Sequence, residues 1–382
     1  MDLFIGYLTL ILVVGMLFFQ GLFVEKFSNN GIIYGIRVPE EYKNLDEINY
    51  IKKRYRKRYL VTMIILCSIL FSIMYIYDKA FLLFLGIIIF LGTNYTIYYF
   101  SWKEMKELKR KFDFNSCGNN ILVVDMNIKK KDIKTNEPLS VKYYWGYGII
   151  ILITLLLTVV FYKDLPHTFP THFNGKGIAD GFAVKGTLKG YLGVLSLPLT
   201  QIGMTIMFIF LHRYTISSKK IINSGTAKGT LEQQNKFRRY GAVFLYVMGL
   251  DTIIMFFAMQ IAMLKGLEMK LIVGVFGALT ALIGIIGVGI LIYIGQGGKN
   301  IKVKDEGEII YRDDDRFYKI GLFYYNKQDP AIMIQKRVGI GYDLNYGNPI
   351  SKILAIIVGI ILIGTVVCLF INDQSIIESF MK

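Results

Sequence analysis

Eight runs of about 20 residues with almost no charge constrain this chain more than any other feature, because that is the length a helix needs to cross a bilayer core. They lie at 3–24, 59–77, 80–101, 143–162, 190–212, 240–262, 270–296 and 350–371. In lipid the backbone must satisfy its own hydrogen bonds, so such runs fold as helices. The chain is 54% hydrophobic, too apolar for an ordinary soluble domain. The expected fold class is an all-α polytopic membrane protein, with eight transmembrane helices and a small β-rich cytoplasmic module before the last of them. The opening stretch MDLFIGYLTLILVVGMLFFQGLFV lacks a basic n-region and a small-residue cleavage site, so it reads as a retained first helix.

The basic residues orient these spans. The net charge is +16, and its distribution points to membrane topology rather than to nucleic acid. The loops at 25–58, 102–142, 213–239 and 297–349, with Lys352 added to the last, hold 9, 10, 7 and 10 of the 44 lysines and arginines. Positive loops stay in the cytoplasm. The expected localisation is the cell membrane, multi-pass, with both termini extracytoplasmic. The organisation follows from the same pattern. Residues 1–142 read as a three-helix membrane region with basic cytoplasmic loops, and 143–212 as a helix–loop–helix unit with an outer loop at 163–189. Residues 213–296 add two membrane helices, 297–349 form the β module, and 350–382 are the last helix and tail. The turn near residues 77–80 is the weak joint of the scheme, with Asp78 and Lys79 its only charges.

Three cysteines, Cys67, Cys117 and Cys368, fit neither a disulfide framework nor a zinc spacing. In the first loop, Pro39 followed by Glu40 and Glu41 predicts a helix start. Tyr42, Leu45, Ile48, Tyr55 and Tyr59 then recur at helical spacing up to the basic end KKRYRKRY. This segment reads either as an interfacial helix that fixes topology or as one that binds anionic lipid. In the third loop SWKEMKELKRKF predicts a basic helix and ILVVDMNI a short strand. In the last loop NIKVKDEGEIIYR predicts two strands about a turn, and AIMIQKRVGIGYDLNYG a hairpin bent at Gly339 and Gly341. Asp313, Asp314 and Asp315 offer carboxylates to a divalent cation, although three aspartates in a loop usually face solvent. No metal or other cofactor is expected.

Asp251 falls in the middle of the sixth span, where an ionisable side chain is costly and needs a partner or a wet cavity. Gln201 lies at similar depth in the fifth span, within reach of it; Asn94 and Gln260 are further polar candidates. Two readings stand open, a substrate or proton site and interhelical hydrogen bonding. The outer loop, KDLPHTFPTHFNGKGIADGFAVKGTLKG, carries Pro166, His167, Pro170, His172, Asn174 and Asp180. Its prolines stiffen it, and Asn174-Gly175 and Lys176-Gly177 are turn signals. His167 and His172 are not spaced as a helical zinc pair. A loop that binds something outside, or packs over the bundle, fits these residues better.

That loop resembles the characteristic loop of a family of bacterial membrane proteins that includes the immunity protein for the sporulation-delaying killing peptide. The shared pattern falls on Leu165, Pro166, Phe169, Pro170, His172, Phe173, Asn174, Gly177 and Asp180. YGIRVPEE, from Tyr34 to Glu41, resembles a Phe-Gly-x-Arg-x-Pro element of longer relatives, with Tyr34 in place of Phe. Residues 323–349 resemble a C-terminal domain of unknown function in those relatives. The resemblance implies a non-enzymatic protein of the immunity or signalling type. Its implied partners are membrane lipid, an extracellular peptide and a cytoplasmic regulatory protein, with no direct contact to nucleic acid. A secondary transporter built around Asp251 and Gln201 is the alternative. No zincin, serine-elbow or phosphate-loop motif points to an enzyme.

Overall fold

A computed structural model of the chain describes residues 14–77, 80–114, 139–173, 179–220, 222, 224–303 and 310–372. It is mostly helical, and the described strands form only two-stranded antiparallel pairs. Four helical stretches are long and apolar enough to cross a membrane: Val141–Tyr162, Leu188–Ser217, Ala227–Lys265 and Met269–Gly298. Pro349–Gly364 is a shorter apolar helix. These helices mark a membrane protein. Each of the eight predicted runs is largely helical where it is described; the first turns off its helix by residue 23 and the seventh breaks at Gly295. The predicted strand at ILVVDMNI and the turn signals at 174–177 lie outside the described residues. The chain divides into two compact units, one of residues 1–127, 218–233 and 295–382, the other of residues 128–217 and 234–294.

In the first unit, a helix over 14–22 (α1) leads into a hairpin of β1 (Ile32–Ile33) and β2 (Ile36–Arg37). Pro39 starts only a single 3-10 turn, Glu40–Tyr42. The long helix α2 (Asp46–Tyr77) begins four residues later, with Asp46 and Glu47 at the positive end of its dipole. Ile48, Ile51, Tyr55, Tyr59 and Met63 recur every three or four residues and are all buried. That stripe does not pause at residue 59. The predicted interfacial helix is therefore the first part of α2, continuous with the apolar run. α3 (Ala80–Lys111) repeats the arrangement in reverse: SWKEMKELKRK continues the apolar run, and Lys109, Arg110 and Lys111 sit at the negative end of the dipole. The two helices share a core of Tyr34, Tyr55, Tyr59, Phe90, Tyr98, Met105 and Phe114.

Five more strands and α8 (Pro349–Asn372) complete this unit's C-terminal part. The predicted hairpin about Gly339 and Gly341 forms: β9 (Met333–Gln335) pairs with β10 (Tyr342–Leu344), and both glycines have positive φ. β7 (Tyr318–Lys319) pairs with β8 (Phe323–Tyr324). The other predicted pairing differs where it is described. β6 (Ile310–Tyr311) pairs with β5 (Ser224–Gly225), a distant segment. Asn345 is fully buried and organises the module. Its amide nitrogen donates to the carbonyls of Asn326, Asp329 and Ala331, and its oxygen accepts from the backbone of Asn326 and Gly347.

The second unit holds α4 (Trp145–Tyr162), the hairpin of β3 (Thr168–Phe173) and β4 (Ala179–Val184), and α5 (Leu188–Ser217). It also takes the larger part of α6 (Ala227–Lys265) and α7 (Met269–Ile294). Thr187 caps α5 by accepting the Gly190 N–H on its hydroxyl at 3.1 Å.

Candidate functional site

The β3–β4 hairpin stands where the sequence placed a histidine- and proline-bearing loop. The register pairs Thr168 with Val184, Phe169 with Ala183, Pro170 with Phe182 and His172 with Gly181, with shifts on either side of His172. Alternation along a strand sends neighbours to opposite faces. Phe169 and Ala183 point inward and are buried with Leu165, Val194, Ala262, Met263, Leu264 and Met269. Pro170 is half-buried, and His172, Asp180, Phe182 and Val184 are exposed. Proline is tolerated because each strand of a two-stranded sheet is an edge.

The base of the hairpin is fixed. Lys185 Nζ donates to the carbonyls of Lys163 at 2.6 Å and Leu165 at 3.0 Å, at the C-terminal end of α4. The Gly186 N–H donates to the Tyr162 hydroxyl, and Tyr162 stacks on Tyr191. A Cβ at Gly190 or Gly193 would collide with Val184 or Thr171, so these two glycines let the hairpin lie directly on α5. On the outer face His172 Nδ1 donates to Asp180 Oδ1 at 2.5 Å, with the imidazole 72% exposed. Pro166 and His167 are exposed at the hairpin's entry, while Asn174 lies outside the described residues. Among the described residues no third metal-ligand group gathers at His172 and Asp180.

Beneath the hairpin the same unit buries polar groups between helices. Pro198 lies inside α5 and has no N–H, so the Val194 carbonyl four residues earlier loses its helical donor. Gln260 supplies the missing bond. Its Nε2 donates to Val194 O at 3.0 Å and to Thr158 Oγ1 at 2.9 Å. Gln201 donates in the other direction, from α5 to Ile253 O on α6, at 3.0 Å. Asp251 accepts the Thr280 hydroxyl from α7 instead. Residues 251 and 253 are about 200° apart around a helix. Gln201 and Asp251 are thus bonded on different faces of α6, rather than to each other. One oxygen of each, Gln201 Oε1 and Asp251 Oδ1, is buried without a hydrogen-bond partner. His212, which the sequence reading passed over, is also fully buried. Its Nε2 donates to Leu139 O at 2.7 Å, because a carbonyl can only accept, and its Nδ1 lies 3.3 Å from the Tyr144 hydroxyl, which also donates to Phe208 O at 3.4 Å. A histidine in the last turns of an apolar run was the signal available in the sequence.

The first unit has a charged centre. Asp313, Asp314 and Asp315 do not face solvent as a loop triplet normally would. Arg37 Nε and Arg337 Nη2 donate to Asp314 Oδ1 at 2.8 and 2.9 Å. Lys109 Nζ bridges Asp313 and Asp315 at 2.6 and 2.5 Å, and Arg337 also pairs with Asp315. The Arg337 guanidinium covers the Tyr318 ring at 4.3 Å. Burial would raise the pKa of Asp314, but the charges of Arg337 and Arg37 outweigh it and hold the carboxyl at about 2. These are the described carboxylates close enough to share a metal ion. Three cations already balance them, so no net negative charge remains to attract one. Arg37 falls in the YGIRVPEE element, which was the sequence signal for this centre; Arg337 had none.

Two comparisons bear on the same stretches. Residues 149–199, which span most of α4, the hairpin and the first part of α5, are similar to a domain of unknown function, DUF1648. Residues 327–352, which contain β9, β10 and Asn345, are similar to a family of unknown function, DUF5808. No curated protein and no solved structure matches the chain. The β3–β4 hairpin and the Asn345-centred module are thus the two parts of this membrane protein that are similar to known domains.

Proposed function

We propose that this is a multi-pass membrane protein of the immunity or signalling type, whose β3–β4 hairpin meets an envelope-active peptide or another extracellular ligand. In this reading all eight apolar runs cross the cell membrane, the basic loops lie in the cytoplasm, and both termini are outside. The cytoplasmic segments engage a regulatory protein, and the chain performs no catalysis. The observation that carries the reading is the two-faced hairpin. Phe169 and Ala183 lock one face to the helices, and the other presents Pro170, His172, Asp180 and Phe182. A rigid support under exposed polar and aromatic groups is what ligand recognition needs. A deletion strain challenged with a panel of envelope-active peptides tests it. Sensitivity to one peptide should appear on deletion and persist in His172→Ala and Asn174→Ala at normal membrane levels. Full protection by both variants would remove the hairpin from recognition.

A second reading, a secondary transporter, draws on the unpartnered oxygens of Asp251 and Gln201. Buried polar atoms within a membrane bundle need a donor, which a solute or a proton would supply. Solute flux in proteoliposomes that vanishes in Asp251→Asn would favour it over the receptor reading.

A further inference from the structure

The N-terminal part of α2 and the C-terminal part of α3 run antiparallel and are tied by Glu104, which accepts from Arg54 at 3.2 Å and Arg58 at 2.9 Å. That tie puts Lys57 level with Lys103 and Leu60 level with Phe100. The outward faces of the two helices change character at this same level. On α2 the exposed residues Ile65, Ile64, Val61 and Leu60 give way within one turn to exposed Lys57, Arg56 and Lys53. On α3 exposed Tyr99 and Phe100 give way to exposed Lys103 and Lys106, while Tyr95 stacks on Phe323. Trp102 sits at the change, with the Lys106 ammonium 4.9 Å over its ring. Lys53, Arg56, Lys57 and Lys103 bridge no carboxylate among the described residues; Glu104 is committed to the two arginines, and Glu107 is an exposed anion on the same stretch.

We propose that this two-helix surface is a binding site for anionic phospholipid, its cations holding the headgroup phosphate and its apolar stripe the acyl chains. Charge complementarity alone would also suit a nucleic acid. The apolar surface that begins one turn from the cations would then stay uncovered. A phospholipid satisfies both halves of the surface, and aromatic side chains favour the boundary between them. Long basic side chains reach headgroups while their stems cover apolar surface.

The chain has two tryptophans, so Trp145→Phe leaves Trp102, which packs against Gly321 at the level of the cations, as a reporter beside the site. Full-length protein in phosphatidylcholine vesicles receives a small fraction of brominated phosphatidylglycerol or brominated phosphatidylcholine, and Trp102 quenching is compared. The anionic lipid should quench preferentially, with the preference weakening about fivefold for each of Lys53→Gln, Lys57→Gln and Lys103→Gln. High salt should abolish the preference by screening. Lys53→Arg with Lys57→Arg should keep it, as should Lys319→Gln with Lys327→Gln, which removes two charges elsewhere. Equal quenching by the two lipids would overturn the proposal. So would a preference that survives the triple glutamine variant, or one lost as readily in the Lys319/Lys327 control. Equal quenching together with a lysine-dependent affinity for a short DNA duplex would assign the surface to nucleic acid instead.

Discussion

The two units bury polar groups by different chemistry. The first buries full charges: Arg37, Lys109 and Arg337 against Asp313, Asp314 and Asp315. The second buries mostly neutral groups, with the Gln260 and Gln201 amides donating to helix carbonyls and Thr280 to Asp251. Ion pairs bring strong mutual attraction at a high desolvation cost, so they hold only as a balanced set. Amides and hydroxyls cost less to desolvate, and one of them can repair a single defect in a helix, as Gln260 does for Pro198.

The sharpest way to break this comparison is to unbalance the charged set. Arg337→Met leaves Asp314 and Asp315 buried with one cation fewer each. It should destabilise the first unit by about 3–5 kcal/mol, measured by thermal unfolding of the purified protein. A loss below about 1 kcal/mol would mean the cluster is solvated and its geometry incidental. Acid sharpens the same point. Asp314 is held at about 2, below its ordinary 3.8. A depressed carboxylate adds stability above the unfolded value, and that stability is lost as pH falls from 3.8 through about 2. Local opening of the first unit, followed by hydrogen exchange, should rise across that window.

A smaller effect is expected in the neutral set. Gln260→Leu strands the Val194 carbonyl and should cost about 1–3 kcal/mol. Pro198→Ala restores an N–H at position 198, so in the Gln260→Leu background it should recover most of that loss. If the two changes simply add, Gln260 is not the substitute donor. The smallest effect on stability belongs to the hairpin's outer face. His172→Ala should shift unfolding by no more than about 0.5 kcal/mol, because the imidazole is exposed. Its expected consequence is loss of peptide protection, which separates recognition from support.

The sequence made some of this legible and hid the rest for physical reasons. Apolar length is a local property, so the helices could be read from the sequence alone. The β9–β10 hairpin could be read as well, because Gly339 and Gly341 announce its bend. The aspartate triplet was misread as solvated. Its partners Arg37 and Lys109 are 277 and 204 residues away in the chain, and no window of sequence joins them. The basic first-loop helix was cut off from α2 because charge changes at residue 59, although the buried stripe of Tyr55, Tyr59 and Met63 runs through it. The 163–189 loop was read as a loop, and its hairpin was not foreseen. Its key is the alternation of Phe169 and Ala183 against Pro170 and Phe182, which two prolines and a bulge disguise.

The outward placement of the hairpin is the claim on which the functional reading depends, and impermeant thiol labelling tests it directly. In a background with Cys67, Cys117 and Cys368 changed to serine, Thr168→Cys should react in intact cells, and Lys327→Cys should react only after permeabilisation. The reverse pattern would place the hairpin in the cytoplasm and contradict recognition of an extracellular ligand.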